Sequence, residues 1–409
     1  MSLPTTLALP AALRSALGEL GVSDQDARLS LLPGGSRSTD AKLDAYLVLP
    51  SPDRPQLLVP LDASGGELIA ERRSGNQVDK VVKRALSSAL RRGYAAQLPG
   101  PRLLIRGGSL RRLIEFASSG ACHSAGVMWG PPRANRKPVL RIFDAQANTW
   151  GYAKVGINEL TNELVAAEAD RLARVNALTW RTLRPPRVLL DDSLDGRRVL
   201  TTAPLAGAGA ERQPSELPLA ATQELFAAVP TTDATLATIL GTPAEGTDAR
   251  VVELTELTVA RWGGRLLPVG ASHGDWTPWN MAYSSTPIES TAGERVLDVW
   301  DWERFETDRP LGFDIVHFAC SSLDAARPEA ADPGSAALAV LPGQFAACGL
   351  DPLSSDAVLA AYLLLIVRRY DADLAREPVA SLARRREWAL DLLARHLHHT
   401  PDRSVHESA

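Results

Sequence analysis

The chain has 409 residues, a net charge of −4 and 45% hydrophobic residues, enough material for two or three globular domains. That balance argues against a dedicated nucleic-acid binder, and no apolar run reaches the roughly 18 residues that a membrane span needs. Cys122, Cys320 and Cys348 are scattered and form no CxxC pair, which argues against a disulfide framework or a zinc site and makes a reducing cytoplasm the expected location.

The first stretch, MSLPTTLALPAALRSALGEL, has no basic segment ahead of its apolar run and does not read as a signal peptide. A helix is expected at about 10–20, then a loop, LLPGGSRSTD. Two strands, AYLVLP and PQLLVPLD, precede a helix at about 76–92. A further strand, PRLLIRG, leads into the helix SLRRLIEFAS. This alternation predicts an α/β region over 1–120, and no chemistry stands out in it.

Three strands are expected next: Gly126 to Trp129, Val139 to Phe143, and Trp150 to Val155, separated by turn-forming segments. Apolar residues at Leu160, Leu164, Ala167, Leu172 and Val175 then recur at helical spacing. A hairpin follows, from Arg187 to Leu190 and from Val199 to Ala203. Residues 208–270 read as mostly helical, with helices near 218–228 and 232–239. Three amphipathic helices are expected at roughly 314–325, 355–374 and 379–398, before a polar tail over 401–409 that reads as disordered.

The strongest chemical signal is SHGDWTPWNMAY, in which Asp275 and Asn280 lie five apart on a loop that Gly274 and Pro278 keep irregular. Some twenty residues later, RVLDVWDWERF reads as a strand ending in acids, with Asp301 on the face of Leu297 and Val299 and Asp298 on the other. A loop carboxylate, a loop amide and a strand-end carboxylate make up the set that phosphoryl transfer requires: one acid to orient the attacking hydroxyl and take its proton, an amide oxygen and a second acid to hold Mg²⁺.

HGDWTPWN and VWDWE resemble the catalytic loop and metal-binding segment of the aminoglycoside-phosphotransferase and choline-kinase-like families, relatives of the protein-kinase fold. RPLGFDIVHFA, with Asp314, resembles a later segment of those families. The match spans roughly 124–400, is specific over 273–318, and leaves 1–120 outside. It implies an α+β, two-lobed fold with a small β-rich lobe over 121–204 and a helical lobe over 205–400, plus an N-terminal α/β region. It also implies roles: Asp275 as catalytic base, Asn280 and Asp301 as Mg²⁺ ligands with Asp298 next in line, His273 as structural support, and Asp314 as brace of the loop.

A kinase requires a lysine on the third strand, held by a glutamate on the next helix. The chain has five lysines, and one of them, Lys154, falls on that strand. Glu159, Glu163 and Glu168 are the choices for its partner. Glu168 lies four residues from both Leu164 and Leu172 and shares their face, so it is preferred. Thr202, Ala203 and Leu205 stand where the resembling families bind adenine through backbone groups. No glycine-rich phosphate loop is present. GPPRANRKP offers Gly130 and the bases Arg133, Arg136 and Lys137, which read equally well as a solvated turn. Trp276, Trp279 and Glu303 are candidates for substrate contact, with Glu306, Asp308, Asp371, Asp373 and Glu387 as further acids that Arg368, Arg369 and Arg384 to Arg386 could counter. His396, His398 and His399 cluster near the tail and read as a frayed helix end rather than a metal site.

The expected activity is transfer of the γ-phosphoryl of ATP or GTP to a hydroxyl of an aminoglycoside, sugar, amino sugar or amino alcohol. The alternatives are a nucleotide-binding pseudokinase or scaffold whose N-terminal region binds a partner, and a protein kinase. The last is disfavoured because HGD stands where HRD would, and because no APE-like segment follows Asp301.

Overall fold

The computed structural model describes residues 5–31, 43–71, 77–98, 101–106, 108–130, 136–205, 213–284, 295–326, 333–376 and 378–399. The loop expected at 32–40, Arg133 and the tail at 401–409 lie outside these residues. The chain divides into two compact units, Met1–Asn176 with Pro186–Ala210, and Ala177–Pro185 with Glu211–Ala409.

The first unit is built on one antiparallel sheet. In chain order its elements are β1 (Thr5–Leu7), α1 (Ala11–Glu19), β2 (Ala27–Leu31), β3 (Leu43–Ser51), β4 (Arg54–Pro60), α2 (Ala63–Glu71), α3 (Gln77–Arg91), β5 (Arg102–Arg106), α4 (Ser109–Ala117), β6 (Ser124–Met128), β7 (Val139–Phe143), β8 (Thr149–Val155) and α5 (Glu159–Asn176). After β9 (Leu183–Arg184), which belongs to the second unit, come β10 (Val188–Leu194) and β11 (Arg197–Thr202). The strand order is β1-β2-β5-β3-β4-β6-β7-β8-β11-β10. The boundary expected at residue 120 does not interrupt this sheet, because β4 pairs with β6 at Leu57↔Met128 and Leu58↔Val127.

Both faces of the central strands are covered, so those strands read as nearly continuous apolar runs. Tyr46, Val48 and Leu58 pack on one face with Leu13 and Leu17 of α1 and Leu113 and Ile114 of α4. Leu47, Leu57 and Val59 pack on the other with Leu68 and Ile69 of α2 and Leu90 of α3. The side-chain period of two in a strand produces this division. The β10–β11 hairpin turns on Asp195 and Gly196, both at positive φ (50° and 78°), the conformation that a twist-matched two-residue turn demands.

The second unit continues with α6 (Leu219–Phe226), β12 (Thr232–Thr235), α7 (Leu236–Leu240), α8 (Ala249–Trp262), β13 (Leu266–Ser272), β14 (Met281–Tyr283), β15 (Leu297–Val299), β16 (Glu306–Pro310), α9 (Phe313–Ala326), α10 (Pro333–Ala347), α11 (Ser355–Arg376) and α12 (Ala380–His399). The helix expected at 232–239 is instead a strand followed by a short helix. The strand Thr232–Thr235, with a β-branched threonine at each end, pairs with β13, and the Thr235 hydroxyl caps α7 by accepting the Thr238 N–H. The segment 177–185 joins this unit through β9, which runs parallel to β15, and through Glu224, whose carboxylate accepts the backbone N–H groups of Thr182 (2.7 Å) and Leu183 (2.9 Å). Among the described residues no helix is long and apolar enough to cross a membrane.

Candidate active site

In the first unit, Lys154 on β8 donates from Nζ to Glu168 Oε1 on α5 at 2.5 Å. Glu168 is 2% exposed, whereas Glu163 is exposed. The buried stripe of α5 runs through Thr161, Val165, Glu168, Ala169, Leu172 and Val175. It is therefore centred one residue past Leu164, and Glu168 lies within it. Arg136 forms an ion pair with Glu19. Thr202 ends β11, and the Ala203 N–H is already donated to the Arg187 carbonyl at 2.8 Å.

In the second unit, β13 delivers the chain to His273, and Gly274 (φ +77°) turns it sharply. A Cβ at Gly274 would lie 2.5 Å from the Arg304 carbonyl oxygen, so both the backbone angle and the space require glycine. The turn is braced from below by Asp314 in the first turn of α9. Its fully buried carboxylate accepts the N–H of His273 (2.8 Å) and of Gly274 (3.0 Å). Burial pushes the Asp314 carboxyl up, against the pull of His273 and these two donors.

His273 is wholly buried, edge-on to Trp302 at 4.7 Å, and burial lowers its pKa. Its Nε2 faces the Trp300 carbonyl at 3.1 Å, and its Nδ1 accepts the Asp275 N–H at 3.2 Å. The ring is thus the neutral Nε2–H tautomer, and it shapes the loop rather than moving protons.

Asp275 is the hub. Its Oδ2 and its backbone oxygen both accept from Asn280 Nδ2, at 2.8 and 3.0 Å, and its Oδ1 accepts from His317 Nε2 at 2.9 Å. Burial alone would raise the Asp275 carboxyl. The hydrogen bond from His317, with the charge of Arg369, outweighs it and holds the group well below the usual carboxylate range. Arg369 also donates to the Gly274 carbonyl at 3.0 Å.

Asn280 turns its Nδ2 to Asp275, so its Oδ1 points away from that carboxylate. The Trp300 N–H donates to the Asn280 carbonyl at 3.0 Å, which ties this loop to the approach to Asp301. Asp301 adopts a left-handed conformation (φ 67°, ψ 53°) past the end of β15. The strand stops at Val299, so the alternation expected to orient Asp301 does not extend to it. Asp298 is fully buried and bound to Arg184 Nε at 2.6 Å, which commits it to an ion pair rather than a metal. An amide oxygen and a carboxylate at a loop and a strand end are hard oxygen donors of the kind Mg²⁺ takes, so the residues fit that ion.

Trp276 is fully buried against His273 and has no face to offer a sugar, which corrects its assignment as a substrate contact; Trp279 is 39% exposed. The Glu303 side chain is 19% exposed, with Arg304 Nε at 3.7 Å. Glu306, Asp371, Asp373 and Glu387 each pair with an arginine. His396 stacks on Trp262 and faces the Asp356 carbonyl, so it belongs to helix packing.

Sequence reasoning missed His317 and Tyr362. His317 lies three residues after Asp314 on α9, on the same helical face, which was the available signal. Its Nδ1 lies 3.2 Å from the Tyr362 hydroxyl. Burial lowers the His317 pKa, against the opposing pull of Asp275, so a neutral ring donates to Asp275 and accepts from Tyr362. Tyr362 and Arg369 stand two turns apart on α11; Arg369 reaches the loop itself, and Tyr362 acts on it through His317.

No protein-family model matches the sequence, and no curated protein matches it. Solved structures similar to the chain include the GDP complex of wild-type aminoglycoside 2'-phosphotransferase-IIIa, at 12% identity and TM-score 0.39, over 68% of this chain and 93% of that one. Another is the PknI kinase domain of Mycobacterium tuberculosis, at 17% identity and TM-score 0.26, over 68% of this chain and 96% of that one. The agreement is low in both measures, and the functional reading rests on the residues themselves.

Proposed function

We propose that the chain is a nucleotide- and Mg²⁺-dependent phosphotransferase of kinase-like fold that phosphorylates a hydroxyl on a small molecule. The observation that carries this reading is the Asp275–Asn280 arrangement. Asn280 spends both donors on Asp275, which fixes the carboxylate and leaves the amide oxygen available to a cation. Asn280 and Asp301 would hold Mg²⁺, which when bound neutralises charge on the nucleotide phosphates. Lys154, fixed by Glu168, supplies a cation for phosphate oxygens.

Asp275 orients the acceptor hydroxyl through a lone pair not used by Asn280 or His317. As the new P–O bond forms and the bond to the leaving diphosphate breaks, the hydroxyl proton passes to this carboxylate. Its depressed pKa makes it a weak base, which suits a loose transition state in which positioning and charge neutralisation supply most of the acceleration. The acceptor is drawn from sugars, amino sugars, aminoglycosides and amino alcohols, and the donor is ATP or GTP.

The test is Mg²⁺-dependent consumption of ATP and GTP against a panel of those acceptors, with Asp275→Asn in parallel. Turnover on one acceptor class, reduced about a hundredfold or more in the variant while nucleotide binding persists, is the expected result. A thermal shift with Mg-ATP but no turnover on any acceptor would favour the binding-only scaffold, and wild-type turnover in Asp275→Asn would overturn the base assignment.

A further inference from the structure

A cavity of about 420 Å³ lies wholly within the first unit, far in sequence from the catalytic loop, and is walled by the ends of β3, β4 and β7 and by α4. Three carboxylates line it. Asp44 pairs with Arg111, which takes Oδ1 at 2.9 Å and leaves Oδ2 without a partner among the described residues. Asp62 caps α2 by accepting the Gly65 N–H at 3.2 Å and also accepts the Ser124 hydroxyl at 3.3 Å. Each Asp62 oxygen keeps one lone pair spare. Asp144 is committed to the turn it closes, where it accepts the N–H groups of Gln146 and Asn148. Of the two basic side chains in the wall, Arg111 is neutralised by Asp44, and His123 turns to Glu115 at 3.2 Å.

Tyr46 stands among these groups, 3% exposed, and its hydroxyl has no hydrogen-bond partner among the described residues. A phenol buried in an apolar face ordinarily finds a partner. Burial raises its pKa, and the charges of Asp44 and Asp62 raise it further against the smaller opposing pull of Arg111, so the hydroxyl stays neutral. The cavity therefore presents three acceptors with unused capacity, two of them charged, beside the apolar walls of Pro60 and Leu61.

A primary ammonium group has three N–H donors and one positive charge. We propose that this cavity binds a small primary amine, its ammonium seated on Asp44, Asp62 and Tyr46 and its carbon chain along the apolar wall. The inference does not depend on the phosphotransferase reading. An anion is disfavoured by the net negative wall, and a neutral polyol would leave the Asp62 charge uncompensated.

Calorimetric titration of the full chain with putrescine, and with butanediol as its uncharged isostere, tests the proposal. Asp62→Asn retains the helix cap, and Tyr46→Phe removes a hydroxyl that no protein group uses, so both variants should melt within a few degrees of the parent. The expected result is saturable putrescine binding that each variant weakens roughly ten- to a hundredfold, with butanediol silent. Asp275→Asn should leave this binding unchanged, which separates it from any amine held near the catalytic loop. Absence of putrescine binding, equal binding of butanediol, or putrescine binding that survives either cavity variant overturns the proposal.

Discussion

Two acids, the buried Glu168 in the first unit and the half-buried Asp275 in the second, are held in opposite ways. Glu168 is held by a strong ion pair with Lys154 within the largely apolar buried stripe of α5. Asp275 is held by two side chains on its two oxygens, Asn280 and His317, which are backed in turn by Tyr362 and by the loop that Asp314 braces. A single pair in a poorly solvated site fixes a charge, and its loss leaves that charge stranded. A network fixes geometry, and removal of one member leaves the rest in place. The first arrangement suits a lysine whose task is electrostatic, and the second suits a carboxylate whose task is orientation.

The contrast predicts different failures. Asp275→Ala should cost turnover about a hundredfold or more, with stability changed little and Mg-nucleotide binding retained, as steady-state kinetics and a nucleotide titration would show. Lys154→Met should instead act on stability as well as on nucleotide affinity, because it takes a positive charge away from the buried Glu168 carboxylate. Removal of one partner of a buried pair costs 3–5 kcal/mol, and the 22% exposure of the Lys154 side chain brings this to about 2–3 kcal/mol in denaturant unfolding. Glu168→Gln added to Lys154→Met should recover most of that loss without restoring nucleotide affinity. If the double variant is no more stable than the single one, the pair is not what stabilises α5 on the sheet.

His317→Gln is the next largest. It exchanges the rigid imidazole donor to Asp275 Oδ1 for a flexible amide while Asn280 still holds Oδ2, so turnover should fall about tenfold rather than a hundredfold. A pH titration of stability sharpens the same point. Burial lowers the pKa of His273 and His317, so the folded protein favours neutral rings. Their contribution is fully present above the ordinary histidine value of about 6.5. As pH falls below it, the unfolded chain takes up protons that the folded chain refuses, and stability declines by up to about 1.4 kcal/mol per pH unit for each histidine until the lowered folded values are passed. His317→Gln should flatten part of that decline in melts taken across this window; an unchanged slope would assign the decline to other groups.

The parts of the site carried by short-range sequence were legible, and those assembled by long-range packing were not. Asp275 and Asn280 are five residues apart, and their spacing announces a loop that offers an acid and an amide. Glu168 could be chosen over Glu163 because one residue's rotation on a helix decides burial. His317 and Arg369 reach the loop from α9 and α11, 42 and 95 residues away in the chain, and Tyr362 acts through His317; apart from the spacing of His317 from Asp314, no local pattern marks them. The first 120 residues showed strands and helices but no chemistry for the same reason. Their sheet order, β5-β3-β4-β6, is not sequential, so the cavity that joins Asp44, Asp62 and Tyr46 exists only after pairing. At 232–235 the pairing with β13, a contact made at long range, decided for strand where the local residues read as helix.

The smallest expected effect tests how far the Asp275 network extends. Tyr362→Phe removes only the hydroxyl that faces His317 Nδ1 at 3.2 Å, and it leaves the ring packed edge-on to Phe313 and His317. With its Nδ1 acceptor unanswered, the imidazole keeps its bond to Asp275 but loses the contact that fixes its tautomer and tilt. A neutral hydrogen bond of this kind is worth about 1 kcal/mol, so kcat should fall roughly fivefold. KM for the nucleotide should not move, since no phosphate contact is altered. A fall in kcat as large as that of His317→Gln would mean that the tyrosine, not the histidine alone, sets the carboxylate. No fall at all would confine the network to His317 and Asn280.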